Sequence, residues 1–392
     1  MFNTNAKSSH LEVDGLPLAA LRKRKSEKWR GFPADVLPLP VAEMDFEIAK
    51  PIRDELIGML EVSDTGYLGP IPELGINLAA FALARWNWEV DPEQIFTATD
   101  VGVGMVEMGR TVVKPGDLIM YNTPVYHNIL NWIHELKCEA IDAALAKDGE
   151  HYTLDLSAVE AGYKKGVKAH FLCNPHNPVG TVFAKSELAN LAELAKKYGV
   201  TVFSDEIHAP LVYESETFVP FLSVSETARE VGICVTAASK SWNLAGLKCA
   251  TIITSHPDQR ARAESMPKAV HFRASLFGGI AAAKAYECVD WLDAALVTLD
   301  RNRKFVAAQL AEKLPSVGYR IPDCSYLAWL DLTSLSLGDK PSEALLVKGK
   351  VAFNPGIDFG PDSGQFVRLN FGTSEEIIAL AIDRILVAVN SK

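Results

Sequence analysis

Paired cysteines are missing from this sequence. Its six, Cys138, Cys173, Cys234, Cys249, Cys288 and Cys324, are scattered, and no two form a C-x-x-C pair. That spacing excludes a disulfide framework and a thiolate zinc site, and it leaves buried free thiols suited to a reducing cytoplasm. Sustained basic runs are missing too. The formal net charge is −10, and the one cationic cluster, Arg22-Lys23-Arg24-Lys25, reads as a solvated stretch. Neither nucleic acid nor an anionic membrane surface is therefore an expected partner. No apolar run reaches the length of a transmembrane helix, and the opening MFNTNAKSSHLEVDG (1–15) has no apolar segment that could act as a secretory signal. Internal repeats, low-complexity tracts and long linkers are absent as well.

What the chain does have is 392 residues and 48% hydrophobic content, more than one core usually serves, so one large and one smaller domain are expected. From about residue 93 to 255, strand-like apolar runs alternate with amphipathic helical ones, the pattern of an α/β fold with a mostly parallel sheet covered by helices. The expected strands are 118–121, 140–143, 169–173, 200–203, 233–237 and 250–254. The best helix is 185–198, with leucines at 188, 191 and 194 and Gly199 as its C-terminal stop. A long helix over 291–314 leads to strand-like 325–332 and 366–371 and a final helix from Ser374.

Lys240 is the most informative residue. It stands in TAASKSWNLAGLK (236–248), directly after an apolar strand-like run, where an ammonium group has no solvated helix face to occupy. Two further polar clusters also follow apolar runs, Asn174-Pro175-His176-Asn177-Pro178 and Ser204-Asp205-Glu206-Ile207-His208. In an open α/β sheet the ends of successive strands converge on one crevice. A lysine placed there suits covalent catalysis through a Schiff base, and pyridoxal 5′-phosphate is the cofactor that uses a lysine in this way.

Each part of that cofactor makes a demand. Its ring nitrogen needs a buried carboxylate, for which Asp205 is the candidate. The phenolic oxygen needs donors, and Asn177 and His208 are suitably polar. One ring face needs a flat partner, available in Tyr126 of TPVYHN (123–128). The phosphate needs amides at a helix start and a cation, which TDVGVGM (99–105), Ser239 and Lys248 can supply. A substrate α-carboxylate needs an arginine fork, and Arg368 in FVRLN (366–370) fits. Singly, each has a bland alternative: Asp205 a helix cap, His208 a satisfied core histidine, Tyr126 a packing aromatic, Asn177 a turn former, Lys248 and Arg368 ordinary ion pairs. Their joint occurrence reverses the odds.

At this point the chain resembles the fold-type I pyridoxal-phosphate enzymes, and more narrowly the bacterial cystathionine β-lyase or C–S lyase proteins of the MalY/PatB kind. The matching stretches are EKWRG (27–31), VAEMDF (41–46), TGYLGP (65–70), PVYHN (124–128), CNPHNPVG (173–180), SDEIHAPLVY (204–213), SKSWNLAGLK (239–248), SYLAWLD (325–331) and FVRLN (366–370). The resemblance implies a large domain over 51–288 with a seven-stranded, mostly parallel sheet. It also implies a small α+β domain over 289–392, with residues 1–50 attached to it.

Carried over position by position, the resemblance makes Lys240 the Schiff-base lysine and catalytic base, and pairs Asp205 with the pyridine nitrogen. Asn177 and His208 would reach the phenolate oxygen, and Tyr126 would stack on the ring. Val101 and Gly102 amides, Ser239 and Lys248 would hold the phosphate, with Tyr67 reaching it from the other subunit of a homodimer. Arg368, flanked by Tyr126 and Asn177, would bind the substrate. The implied activity is cytoplasmic β-elimination from cystathionine or cysteine S-conjugates, giving pyruvate, ammonia and a thiol, and no metal is called for. An aminotransferase on the same fold and a regulatory protein with a relic cofactor site are the alternatives. Two departures bear on substrate choice: Pro40 and Glu43 stand where the family usually reads Trp and Asp, and the phosphate loop reads DVGVGM where Gly-Val-Val is common.

Overall fold

The computed structural model describes residues 11–391. Most of the opening segment, 1–10, on which the reading of no secretory signal rests, lies outside the described residues.

Seven strands form the larger sheet: β1 (Ile95–Ala98), β2 (Leu118–Tyr121), β3 (Glu139–Asp142), β4 (Ala169–Cys173), β5 (Thr201–Asp205), β6 (Gly232–Thr236) and β7 (Ala250–Ile253). Their spatial order is β1-β7-β6-β5-β4-β2-β3, and β7 alone runs antiparallel to both its neighbours. Every residue of β4 and β5 is buried. That is why both read as near-continuous apolar runs: a parallel strand with helices on each face has no solvent side to mark with alternation.

Helix α1 (Lys185–Tyr198) lies on this sheet through Leu188, Leu191, Ala192 and Ala195. At its start Glu187 reaches back to the Ala184 amide, 2.8 Å away. At its end Gly199 takes φ 66°, a left-handed turn that most side chains would strain, and strand β5 begins two residues later.

The second sheet has four antiparallel strands, β8 (Gly318–Tyr319), β9 (Leu327–Asp331), β10 (Asn354–Pro355) and β11 (Phe366–Asn370), in the order β8-β9-β11-β10. The long helix Val289–Lys313 and the final helix Glu375–Asn390 accompany it. Ser374 caps the latter by accepting from the Ile377 amide.

Residues 37–46 form a strap that runs beside the smaller sheet and reaches the segment after β6, where the Met44 amide donates to Asn243 Oδ1 at 2.9 Å. Leu37 and Pro38 pair in parallel with Val351 and Ala352, and the Asn370 side chain donates to the carbonyls of Val41 and Glu43, both at 2.7 Å. Beneath the strap Lys28 and Asp45 form an ion pair at 2.8 Å, both side chains essentially inaccessible to water, and the Trp29 indole donates to the same carboxylate at 2.9 Å. Removing one partner of so deeply buried a pair costs about 3–5 kcal/mol, because the survivor is left charged and dry. The basic cluster 22–25 belongs to this fastening rather than to solvent alone. Arg24 donates to the carbonyls of Met44 and Phe46, Arg22 to that of Val36, while Lys23 and Lys25 point outward.

Candidate active site

The carboxyl ends of the parallel strands open on one cavity of about 430 Å³. Strand β5 delivers Asp205 at its last position, and His208 follows in the turn. Lys240 sits in the single helical turn Ala238–Ser241 directly after β6. Asn177 comes from the loop after β4, Tyr126 from the loop after β2, and Val101 with Gly102 from the start of helix α2 (Val101–Gly109) after β1. Ser239 and Lys248 flank Lys240, and β11 of the smaller sheet contributes Arg368. All ten line the cavity. Tyr67 does not: its side chain is 92% exposed on the surface of the same chain.

Three buried or half-buried charges meet here with few partners. Asp205 is 4% exposed and accepts from the Ile207 amide at 3.1 Å. Burial pushes its pKa up to about 7, against the smaller opposing pull of that amide and of Lys240. The Lys240 amine donates to the Ala42 carbonyl at 2.8 Å, and its pKa falls to about 8, first by desolvation and then by the charge of Arg368. Arg368, 3% exposed, spends one terminal nitrogen on the Asn177 side-chain oxygen (2.9 Å) and the other on the Pro40 carbonyl (3.1 Å) and Asn354 Oδ1 (2.7 Å). Its Nε, though buried, has no protein partner, and neither does His127 Nδ1 on the same wall. Unpaired buried polar atoms are expensive in an empty protein and economical in a site that receives an anion.

His208 is neutral. Burial, then the charges of Lys240 and Arg368, hold its pKa at about 3, and Nδ1 is engaged with Ser325 Oγ at 3.0 Å. His176, between Asn174 and Asn177 in sequence, serves the turn instead: its ring nitrogens meet the carbonyls of Cys173 and Pro124 at 3.1 and 2.8 Å. That holds Asn177 beside Tyr126, whose amide donates to the Asn177 carbonyl at 3.0 Å.

Several lining residues lie outside the expected site set. Asp100 caps α2 by accepting from the Val103 amide at 2.9 Å, and Trp132 lies so close over Gly102 that a β-carbon there would sit 2.7 Å from the indole nitrogen. Asn354 and the Pro40 and Ala42 carbonyls complete the wall near Arg368 and Lys240. Of the two departures in the strap, Pro40 lines the cavity while the Glu43 carboxylate turns away and accepts from Ser26 Oγ.

This geometry fits pyridoxal phosphate: a buried carboxylate without a cation, a lysine amine of lowered pKa, a helix start beside a second lysine, and a buried arginine with a free donor. The chain belongs to the family described as aminotransferase class I and II, which it matches over residues 35–385. Within that family it is 37% identical to the cystathionine β-lyase of Corynebacterium glutamicum, over 94% of this chain and 98% of the relative. It is 32% identical to the cystathionine β-lyase PatB of Bacillus subtilis, over 91% and 93%. The crystal structure of cystalysin from Treponema denticola, which contains a pyridoxal 5′-phosphate cofactor, superposes with a TM-score of 0.88 at 28% identity, covering 94% of this chain and 96% of that one.

Proposed function

We propose that this chain is a pyridoxal-phosphate-dependent carbon–sulfur lyase that cleaves cystathionine or cysteine S-conjugates to pyruvate, ammonia and a thiol, homocysteine in the case of cystathionine. The observation that carries the reading is the meeting of Lys240, Asp205 and Arg368 on one cavity, in a chain 37% identical over nearly its whole length to a cystathionine β-lyase.

When bound, the cofactor supplies an electron sink that stabilises the carbanion at Cα and allows the thiolate to leave from Cβ. The protein residues do the rest. Arg368 binds the α-carboxylate and so aims the Cα–H bond at Lys240. Its neighbours Asn177 and Tyr126 bound the same space. The Lys240 amine takes the Cα proton, a task suited to a base whose pKa has been brought down to about 8. Asp205 keeps a proton on the ring nitrogen, and neutral His208 with the Asn177 amide group offers donors to the phenolic oxygen. Tyr126 covers the ring. The Val101 and Gly102 amides, Ser239 and Lys248 hold the phosphate.

The working form in this reading is a cytoplasmic homodimer. Tyr67 is 92% exposed on its own chain, and Leu60, Val62 and Phe272 are exposed as well; a second copy would cover such apolar side chains and bring Tyr67 to the phosphate of its neighbour. All six cysteines are free and buried, which suits a reducing compartment.

The test is to incubate the purified protein with cystathionine and several S-alkyl cysteines and to measure pyruvate, ammonia and thiol. Equal yields without added keto acid are expected. Turnover that demands a keto-acid acceptor and returns the sulfur-bearing keto acid intact would replace the lyase with an aminotransferase.

A further inference from the structure

The cup at the start of helix α2 is already occupied by a negative charge of the protein's own. Asp100 stands at the N-cap, and its two oxygens do separate work: Oδ1 accepts from the Val103 amide at 2.9 Å, while Oδ2 pairs with Lys248 Nζ at 3.1 Å. The Val101 and Gly102 amides beside it are first-turn donors that no carbonyl of the helix can reach. Lys248 is held for this position by its backbone, which takes φ 61°. Its carbonyl accepts from the Ser275 amide at 3.0 Å, and Gly278 lies so close that a β-carbon would fall 2.1 Å from the Leu247 oxygen. A lysine fixed in a left-handed conformation by its surroundings has been placed with some precision.

A carboxylate and a phosphate dianion make the same demands on such a cup. Both want the helix start and both want the lysine. They also repel each other. We propose that Asp100 is a built-in stand-in for the cofactor's phosphate: it satisfies Lys248 and the helix start when the cofactor is away, competes with the phosphate when it arrives, and so loosens the enzyme's hold on its cofactor. The inference rests on reading this cup as the phosphate site. It assigns Asp100 to the positioning of Lys248 rather than to the chemistry.

The test reads cofactor affinity instead of turnover. Holoenzymes of the parent, Asp100→Asn and Asp100→Ser are stripped of cofactor, and pyridoxal phosphate is titrated back while the visible absorbance is followed, at low and at high salt. Asn and Ser both cap helices as well as Asp does, so the two variants remove charge and keep the cap. Each is expected to bind the cofactor about two- to five-fold more tightly than the parent, the range that a partly exposed ion pair spans, with the gain shrinking as salt rises. In a Lys248→Gln background the same two substitutions should gain less, because Asp100 there has no cation to withhold. Unchanged or weaker binding in both variants overturns the proposal while leaving the lyase reading intact. A parent chain that takes up no cofactor overturns both.

Discussion

Lys240 Nζ donates to the carbonyl oxygen of Ala42, 198 residues earlier in the chain and 2.8 Å away. The same oxygen accepts from the hydroxyl of Tyr326 at 3.0 Å. The amine thus rests against the strap rather than against a carboxylate, and without a close counter-ion desolvation can lower its pKa to about 8. A neutral amine is the form that captures an aldehyde. The rate of cofactor uptake by the stripped enzyme should therefore rise roughly ten-fold per pH unit below about 8 and level off above it. Borohydride should then fix the adduct on Lys240 and nowhere else; a digest placing it on another lysine would refute the assignment.

Arg368→Lys keeps the charge but loses the planar fork. Asn177, Asn354 and Pro40 are arranged around two terminal nitrogens and a free Nε, a geometry that an ammonium cannot reproduce. For S-substituted cysteines kcat/KM should fall about ten-fold or more, equivalent to about 1.4 kcal/mol of transition-state binding. The visible spectrum of bound cofactor should hardly change. A variant with normal kcat/KM would remove Arg368 from the substrate site.

Tyr67 offers a test of the composite site. Mixing an inactive Tyr67→Ala chain with an inactive Lys240→Ala chain should restore part of the activity, since one site of each hybrid dimer regains both residues. Subunit exchange without rescue would assign Tyr67 to its own subunit's surface.

Glu206 lies just behind Asp205, 2% exposed, accepting from the Phe221 amide at 2.8 Å and from Ser204 Oγ at 2.9 Å. Burial raises its pKa to about 7. Between the ordinary glutamate value and that pH the folded protein keeps a proton that the unfolded chain has released, so this group's contribution to stability fades as pH rises through that window. Glu206→Gln cannot titrate. The melting temperature of the variant relative to the parent should climb from pH 5 to pH 8, and parallel curves over that range would contradict the assignment.

Much of the scaffold could be read from local pattern. Strands Leu118–Tyr121 and Ala169–Cys173 and helix Lys185–Tyr198 run as expected, because a continuous apolar stretch or a leucine stripe, closed by Glu187 and Gly199, states its own limits. The strand Ile95–Ala98 escaped notice, since four residues, two of them half-exposed, carry too little pattern. Ten of the eleven expected site residues line one cavity because strand ends and motifs fix them locally. Asp100 and Asn354 did not stand out. Their importance lies in partners far along the chain, Lys248 and Arg368, which no spacing rule connects. For the same reason Arg22 and Arg24 read as solvated in the sequence: their carbonyl partners, Val36, Met44 and Phe46, lie 14 to 22 residues away.

The strap meets the reactive residues through main-chain oxygens: Pro40 with Arg368, Ala42 with Lys240, and Val41 and Glu43 with Asn370. A carbonyl is the same whatever side chain it carries. The cavity wall beside Lys240 and Arg368 can therefore change its side chains, Pro40 among them, while the hydrogen bonds that hold it remain. In the proposed lyase, substrate preference would then drift by substitution in one short segment, with Lys240 and Arg368 unmoved.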